Sequence, residues 1–277
     1  MSSTKKAPCL SDAVYGLAVG DALGVPVEFC RRGTFHVKGM EGHGTYNLPA
    51  GTWSDDTSLT LATCDSIRRR GYIDRADMRE RFCLWLFRGA YTPFGTTFGV
   101  GKTTRAGLVL GKGQRSPTSN GNGSLMRIIP LAFTDAADDH VRAVSAMTHA
   151  HPIAMDGCAS LVRIAKDIIK GKSLEAAVHL EGARGPFHEL AQLGSFTEKD
   201  IPSGGFVTHT LRAALWCNLT SSSYEEAVLK AVNLGDDSDT TGAVCGALAG
   251  ILYGKEAIPR EWVAALQAKA LINACLF

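Results

Sequence analysis

The sequence lacks a large excess of charge of either sign. Its 277 residues include 29 lysines and arginines against 27 aspartates and glutamates, which gives a formal net charge of +2. A balance this even gives no sign of a nucleic-acid partner or of an anionic membrane surface. Because 45% of the residues are hydrophobic and 20% are charged, the composition is that of a folded globular protein and excludes a disordered one.

Closely spaced cysteine pairs and an apolar leader segment are also missing. The eight cysteines never form C-x-x-C, and most lie inside apolar stretches, as Cys83 does between Phe82 and Leu84. This usage is typical of reduced core residues. No apolar core of signal-peptide length follows Met1, and the apolar stretch at residues 240–253 is shorter than the ~18 to 20 residues that span a bilayer. We therefore expect a cytoplasmic protein without a membrane partner.

Alternation of polar and apolar residues at strand spacing is almost absent, and helical spacing takes its place. Apolar residues from Met78 to Leu86 follow a predicted N-cap at Asp74, and that helix is predicted to end near Gly89. Further helices are predicted at residues 12–23, 56–70, 103–110, 138–147, 153–169 and 207–218, after the capping box at 223–226, after Pro259 and across glycines 242, 246 and 250. We therefore predict one all-α domain over residues 1–277, with long glycine-rich loops at 33–52, 111–123 and 182–205 that favour a functional role.

Three short matches to known motifs fail on their context. Gly101-Lys102-Thr103 ends like a phosphate-binding P-loop, but Thr96 stands where that pattern requires glycine and no strand precedes it. Residues 237–241 match the D-x-D-x-T of aspartyl-phosphate enzymes, but a helical segment precedes them where a buried strand is needed. His149 and His151 follow a helix, so strand alternation does not aim both rings at one metal ion.

Two acidic clusters resemble each other, and each opens a predicted helix. Residues 54–57 are Ser-Asp-Asp-Thr, and residues 236–240 are Asp-Asp-Ser-Asp-Thr. Both suit simple N-caps, since short polar side chains and carboxylates stabilise a helix start. A cap needs only one such residue, however, and two acidic clusters brought together in an apolar fold repel each other unless cations bind between them. Carboxylate and hydroxyl oxygens are ligands for Mg²⁺ or Mn²⁺, so a metal site is the alternative interpretation.

Four stretches, in order along the chain, carry a family resemblance. They are residues 20–29, 53–57, 121–127 and 233–242. Together they resemble the signature stretches of the ADP-ribosylglycohydrolase family. The resemblance implies a compact orthogonal helical domain around two Mg²⁺ or Mn²⁺ ions. It also implies cleavage of the N- or O-glycosidic bond that joins ADP-ribose to a protein side chain or a small molecule.

Carried onto this sequence, the resemblance implies two sets of metal ligands. The first trio would be Ser54, Asp55 and Asp56, and the second would be Asp237, Asp239 and Thr240. Two positions depart from the usual pattern of the family. Ser54 stands where threonine is more common, which keeps the hydroxyl, and Asp236 stands where glycine is usual, which adds a negative charge without an assigned role.

The same resemblance implies catalytic and ligand-binding residues. Glu28 matches a glutamate near the scissile bond, and the alternative for it is a solvated acid at a helix end. The residues expected to bind ADP-ribose are Gly121, Asn122, Gly123, Ser124, His149, Gly205 and Phe206. Glycines admit a diphosphate close to the backbone, and a helix start offers free N–H groups. Core packing is the alternative for the His149 and Phe206 side chains.

The expected reaction is hydrolytic release of ADP-ribose from an ADP-ribosylated protein or small molecule, and resemblance to bacterial members favours protein arginine as the acceptor. We expect a monomer. Two other functions stay open: a module that binds ADP-ribose or blocks a transferase without turnover, and a metal-dependent phosphohydrolase that acts on the diphosphate. Six metal ligands favour turnover, because a pure binding module does not need them.

Overall fold

The structure, a computed structural model, describes residues 7–277, and this part of the chain contains α-helices and short 3₁₀ turns but no β-sheet. The helices are α1 (Leu10–Gly24), α2 (Asp55–Arg70), α3 (Arg75–Arg88), α4 (Lys102–Leu110), α5 (Asp138–Ser145), α6 (Pro152–Ile169), α7 (Leu174–Arg184), α8 (Val207–Leu219), α9 (Tyr224–Asn233), α10 (Ser238–Tyr253), α11 (Arg260–Ala265) and α12 (Lys269–Cys275). The prediction of an all-α fold is therefore confirmed. The eight cysteines are all free.

Local capping chemistry explains where several helices begin and end. The Asp74 carboxylate accepts hydrogen bonds from the first backbone N–H groups of α3, and Gly89 ends this helix in the left-handed conformation. Gly71 ends α2 in the same way, directly after its three C-terminal arginines. At α9, the Ser223 hydroxyl accepts from the N–H of Glu226, but the Glu226 carboxylate reaches back to Ser222. Only half of the predicted capping box is therefore formed at Ser223.

Helices α7 and α12 were not predicted from the sequence, and one predicted loop is partly helical. Helix α7 extends to Arg184, and a 3₁₀ segment, His188–Ser195, follows it, so helical structure occupies part of the loop expected at residues 182–205. The buried face of α7 includes Glu181, which receives hydrogen bonds from Ser160 and Arg163 on α6. A charged residue on the buried face weakens the apolar periodicity by which helices are recognised. Helix α12 has only seven residues, too few for a clear period.

The centre of the fold is an antiparallel pair of nearly fully buried helices, α1 and α10. A Cβ atom on Gly20 would lie 2.0 Å from the carbonyl oxygen of Gly242, and one on Gly16 would lie 2.2 Å from that of Gly246. Both distances are far below a van der Waals contact, so any side chain at these glycines would push the helices apart. The four-residue glycine spacing on α10 therefore permits the close approach that the sequence predicted.

This close pairing also brings the second acidic cluster to the end of α1. A Cβ on Gly24 would lie 2.4 Å from the Cα of Asp239, and the Ser238 hydroxyl donates to the carbonyl oxygen of Gly24 at 2.9 Å. The chain after Gly24 forms a short 3₁₀ turn, Val25–Val27, which leads directly to Glu28. The packing of two glycine-rich helices thus places Asp239 beside the segment that carries Glu28.

One stretch among residues 7–277, Leu10–Val27, is long and apolar enough to cross a bilayer by length and composition. It is longer than the 240–253 segment that the sequence singled out. Of this stretch, 78% is buried inside the protein, and its α1 portion packs along α10. Core helices pass the same test of length and composition, and the packing assigns this stretch to the core.

Candidate active site

The four signature stretches converge on one cleft of about 490 Å³. Of the predicted site residues, those that line it are Glu28, Asp55, Gly121, Asn122, Gly123, His149, Gly205, Asp237, Asp239 and Thr240. A larger cavity of about 630 Å³ lies beside residues 168–175 and contains none of the predicted site residues. The chemistry-bearing side chains therefore lie together in the smaller cleft.

The two acidic clusters meet at this cleft, at the start of α2 and the start of α10, although Ser54 and Asp56 are not among its lining residues. Ser54 is the N-cap of α2, and its hydroxyl donates to Oδ2 of Asp56 at 3.0 Å. The hydroxyl of Thr240, from the other cluster, donates to the same oxygen at 3.4 Å. All three side chains are buried. Residues 184 positions apart in the sequence thus share one hydrogen-bonding group.

The carboxylates are close enough to hold cations. One oxygen each of Asp21, Asp56 and Asp239 lie within 4.8 Å of one another, and so do one oxygen each of Glu28, Asp237 and Asp239. Asp239 belongs to both groups. None of the ion pairs found within residues 7–277 includes any of these acids. Among the described residues, Oδ1 of Asp56 and Oε2 of Glu28 are buried without a hydrogen-bond partner, so the site combines several carboxyl groups with free ligand atoms, as a cation site requires.

Burial sets the electrostatics of the cluster. It raises the pKa of Asp56 and of Asp239 well above the usual range, and the neighbouring carboxylates raise both further. The pKa of Asp55 is raised well above its usual range for the same two reasons, with Glu28 as the first charged neighbour. Without cations the group therefore holds protons that isolated carboxylates would release.

Asp21 is a site residue whose role the sequence did not reveal. Its carboxylate accepts hydrogen bonds from the backbone N–H groups of Ser54 and Thr57 and from the Thr57 hydroxyl. These bonds use most of the acceptor capacity of the carboxylate. Asp21 therefore fixes the start of α2, and with it Asp55 and Asp56, and has little capacity left to act as a ligand itself.

Glu28 is buried at the cleft, with 7% of its surface exposed. The alternative interpretation, a solvated acid at a helix end, is therefore wrong. Its pKa is raised to about 7, chiefly by burial, with the Asp237 and Asp21 charges acting in the same direction and hydrogen bonding from Tyr46 opposing them. A carboxyl group with a pKa near neutrality can both take up and release a proton at physiological pH.

Residues 121–123 of the glycine-rich turn form another part of the cleft wall. The N–H of Asn122 donates to the carbonyl oxygen of Gly205 at 3.1 Å, and its side-chain amide donates to Oδ2 of Asp237 and to the hydroxyl of Thr210, both at 2.8 Å. Asn122 therefore ties the turn both to the second acidic cluster and to the start of α8. Gly123 lies against the ring of His149, which is 3% exposed.

Two of the residues expected to bind ADP-ribose, Ser124 and Phe206, differ from the others in the exposure of their side chains. The Ser124 side chain is fully buried behind the turn, and its hydroxyl interacts with Ser145 and Cys158, so it does not line the cleft. Phe206 is 49% exposed next to Gly205. Core packing, the alternative for Phe206, is therefore wrong.

Several residues of the cleft wall were not predicted. They are Phe29, Tyr46, Met126 and residues 99–104. Gly101 is the N-cap of α4 and has no side chain with which to cap it. The segment that was rejected as a P-loop therefore lines the cleft although no strand precedes it. In the sequence, the one indication of a binding role for this segment is a helix start whose N–H groups have no capping side chain.

Asp236, the departure from the family pattern, is exposed and adopts φ of 57°. Glycine favours this left-handed region, and aspartate is one of the few other residues that adopt it readily. Its backbone N–H donates to the carbonyl oxygen of Cys30, and its own carbonyl oxygen accepts from Phe29. The structure therefore explains the usual glycine by its conformation and places the added charge in solvent.

The two histidines rejected as a metal pair serve different purposes. Nδ1 of His151 accepts from the N–H of Ile153 and caps α6, whereas the ring of His149 lines the cleft. Groups of three or more metal-ligating side chains within residues 7–277 consist of carboxylates alone.

Comparison with known proteins agrees with this geometry. The sequence profile described as ADP-ribosylglycohydrolase matches residues 10–276. The chain is 34% identical to ADP-ribosylarginine hydrolase Tri1 of Serratia proteamaculans, over 91% of this chain and 73% of the relative. It is 32% identical to ADP-ribosyl-[dinitrogen reductase] glycohydrolase of Rhodospirillum rubrum, over 93% and 90% of the two chains.

A solved structure points the same way. It is described as an ADP-ribosylglycohydrolase-related protein complex and superposes with a TM-score of 0.80 at 34% identity, covering 95% of this chain and 94% of its own. The resemblance carried by the four signature stretches is confirmed. The chain belongs to the ADP-ribosylglycohydrolase family and is an enzyme of that family.

Proposed function

We propose that this protein is a metal-dependent hydrolase that releases ADP-ribose from ADP-ribosylated arginine in a protein. The observation that carries the proposal is the meeting of two acidic clusters beside Glu28, in a cleft that a glycine-rich turn also lines. Both relatives described above are named as hydrolases of ADP-ribosylated targets, and one of them is named for arginine.

The residues of this chain fit a pair of divalent cations. We assign the ligands to the carboxylates of Asp55, Asp56, Asp237 and Asp239 and the hydroxyls of Ser54 and Thr240. The unpartnered oxygen of Asp56, and the lack of an ion pair to these acids within residues 7–277, support the assignment. Two Mg²⁺ or Mn²⁺ ions held there would neutralise the carboxylates and orient the hydroxyls of the distal ribose.

Glu28 is the residue that we assign to the proton transfer. Its buried position in the cleft and its pKa of about 7 suit a general base that takes a proton from the attacking water. The water oxygen bonds to the anomeric carbon, and the bond from that carbon to the guanidine nitrogen breaks. The leaving guanidine takes up the proton that Glu28 received from the water, which restores the Glu28 carboxylate.

The glycine turn and its neighbours are assigned to the diphosphate and the adenosine. Gly121 and Gly123 have no side chains and admit phosphate oxygens close to backbone N–H groups. The half-exposed ring of Phe206 is available to stack on a base beside Gly205. With the diphosphate and the adenosine bound there, the arginine that carries the ADP-ribose would lie at the end of the cleft where Glu28 and the exposed Phe29 lie.

Product analysis with a defined peptide carrying ADP-ribosylated arginine tests this proposal. We expect free ADP-ribose and the unmodified peptide, with no product from Asp239→Ala. Release of AMP would show a phosphohydrolase instead, and tight ADP-ribose binding without any product would show a binding module. Matched peptides modified on serine decide the acceptor, because faster cleavage of the serine-linked peptide would overturn the arginine assignment while leaving the hydrolase assignment intact.

A further inference from the structure

Arg127 is a fully buried cation that forms no ion pair within residues 7–277. Its guanidinium lies over the ring of Phe82, 4.4 Å from the ring centroid, and its Nη1 has no hydrogen-bond partner in the part of the chain that the structure describes. A buried charge without a counter-ion is costly. Packing alone therefore does not account for an arginine at this position.

The two hydrogen bonds that Arg127 does form lead to the wall of the cleft. Its Nε donates to the carbonyl oxygen of Gly123 at 3.3 Å, and its Nη2 donates to the hydroxyl of Thr148 at 2.7 Å. That hydroxyl lies 2.9 Å from Nδ1 of His149. Gly123 and His149 both line the cleft, so Arg127 holds two adjoining parts of its wall from behind.

The hydrogen bonds of the Thr148 hydroxyl to Arg127 and to His149 determine the tautomer of His149. A guanidinium can only donate, so the Thr148 oxygen must accept from Arg127. The hydroxyl has one proton of its own, and within residues 7–277 Nδ1 of His149 is the only acceptor to which it is bonded. The reverse bond, from a protonated Nδ1 to the second lone pair of the Thr148 oxygen, would leave this buried hydroxyl proton without an acceptor. A hydroxyl that donates to Nδ1 requires Nδ1 to be unprotonated, which leaves the ring proton on Nε2.

The Nε2 atom faces the glycine turn. A Cβ atom on Gly123 would lie 3.2 Å from it, and one on Gly121 would lie 3.8 Å from it. No hydrogen bond to Nε2 is formed by residues 7–277. The backbone of His149 is held on both sides by Ser145, which accepts from its N–H and donates to its carbonyl oxygen. The ring is therefore fixed with one unpaired nitrogen at the turn.

We propose that Arg127 and Thr148 are positioning residues that hold His149 as a neutral Nε2–H donor to a diphosphate oxygen of ADP-ribose. The choice of ligand rests on the proposed function, whereas the tautomer follows from the hydrogen bonds alone. In this arrangement the buried guanidinium places a positive charge behind the turn, and the bound diphosphate supplies the missing negative charge.

The charge states agree with this assignment. Burial lowers the pKa of Arg127 to about 10, so the guanidinium stays protonated at neutral pH. Burial, together with the charge of Arg127, lowers the pKa of His149 to about 3, so its ring stays neutral. A neutral donor binds a phosphate oxygen without the desolvation cost of a second buried cation.

Nitrogen-15 NMR of the imidazole rings in the full chain at neutral pH tests the tautomer directly. The His149 signals are identified by their loss in His149→Gln. We expect one pyridine-type nitrogen at Nδ1 and one protonated, pyrrole-type nitrogen at Nε2. A protonated Nδ1, a doubly protonated ring or an even mixture of tautomers in the parent protein would overturn the proposal.

Substitution of Thr148 separates positioning from packing. Thr148→Val removes the hydroxyl with little change of shape, so we expect a mixture of tautomers and a KM about tenfold higher with kcat within about threefold. Thr148→Ser restores the hydroxyl and should restore both readouts. Thr63→Val, the same change at a buried threonine of α2 whose hydroxyl donates to the carbonyl oxygen of Leu59, is the matched control. Unchanged His149 signals and KM in a folded Thr148→Val protein would reject the positioning role.

Titration with ADP-ribose, followed by calorimetry and NMR together, tests the donor role. We expect the Nε2 proton to shift and exchange more slowly on binding, while Nδ1 keeps its pyridine-type signal. Calorimetric binding with no change at Nε2 would overturn the donor role. If calorimetry shows no binding of ADP-ribose at all, the donor role falls with the proposed function, and the spectrum of the free protein still decides the tautomer.

Discussion

Thr57 donates two hydrogen bonds to Asp21, one from its backbone N–H at 3.0 Å and one from its hydroxyl at 2.6 Å. The same carboxylate accepts from the N–H of Ser54. It therefore caps the start of α2 from a different helix, and the direction of the first turn of α2 depends on it. That turn carries Asp55 and Asp56, two of the proposed metal ligands.

The first prediction is that Asp21→Asn weakens metal binding about 10- to 100-fold, the usual effect of removing a partner that orients ligands. Asparagine keeps the size of the side chain but loses one acceptor oxygen and the negative charge. The metal Kd from titration calorimetry and the metal concentration at half-maximal activity check it.

Asp12→Asn is the matched control, because Asp12 is a buried acid at the opposite end of α1 that accepts from the N–H groups of Cys9 and Lys255. We expect it to lower thermal stability and to leave the metal Kd unchanged. Equal metal affinities for both variants and the parent would assign Asp21 to stability alone.

Features that depend on neighbouring residues could be predicted from the sequence. The bounds of α3 follow from the cap at Asp74 and the glycine at 89, and the close approach of α10 to its neighbour follows from its glycine spacing. Helix α7 was missed because its buried face includes Glu181, whose partners lie on another helix. Pattern and capping rules describe local structure, and a buried ion pair is not local.

In the candidate site, too, features that are contiguous in sequence could be predicted and those that depend on distant residues could not. Both acidic clusters were recognised because each is contiguous in sequence. The capping role of Asp21 was missed because its partners lie 33 and 36 residues away. Tyr46 and Gly101 reach the cleft only through the folding of two loops. Ser124 is next to residues that line the cleft, yet its side chain faces the core, since adjacent residues in a turn need not share a face.

The second prediction is metal dependence. Asp55→Ala and Asp239→Ala should each abolish activity, because each removes an anionic ligand. Added Mg²⁺ or Mn²⁺ should raise the melting temperature of the parent by binding only the folded state, and should raise that of the variants much less. Activity assays with and without chelator, alongside thermal unfolding, check both points. Full activity in excess chelator would contradict the metal site.

The third prediction concerns the pH dependence of stability in the metal-free protein. The folded protein raises the pKa of Glu28 to about 7 and those of Asp55, Asp56 and Asp239 well above the usual range. Unfolded carboxyl groups titrate near pH 4, so between pH 6.5 and 8 the folded state binds more protons than the unfolded state. The free energy of unfolding therefore falls as the pH rises through this window.

The lower limit of that window is set by His149. Its pKa of about 3 in the folded protein contributes stability that is present above its unfolded pKa of about 6.5 and lost below it, which opposes the carboxylates at lower pH. Urea unfolding in chelator at pH 6.5 and 8 measures the difference, and Asp239→Asn should reduce it. A metal-free protein that is more stable at pH 8 would contradict the clustering of ionisable carboxyl groups.

The fourth prediction tests the glycine turn. A Cβ atom on Gly123 would lie 2.8 Å from Cε1 of His149 and 2.9 Å from the hydroxyl oxygen of Thr104. Gly123→Val should therefore weaken ADP-ribose binding at least tenfold and leave the metal Kd unchanged, which calorimetry measures separately. Gly194→Ala, at a position with open space around it, should change neither. Unaltered ADP-ribose affinity in a folded Gly123→Val protein would assign the turn to structure only.

The last prediction addresses the chemical step. Glu28→Gln keeps the shape and polarity of the side chain but removes the base, so kcat should fall about 100-fold or more, the usual contribution of a general acid or base. The affinity for ADP-ribose should change little, because the diphosphate and adenosine contacts lie elsewhere. Glu41→Gln, at an exposed glutamate of the same connecting segment, should keep the parental rate. If Glu28→Gln retains kcat within threefold of the parent with unaltered binding, then Glu28 takes no part in the proton transfer and a different group must accept the proton of the attacking water.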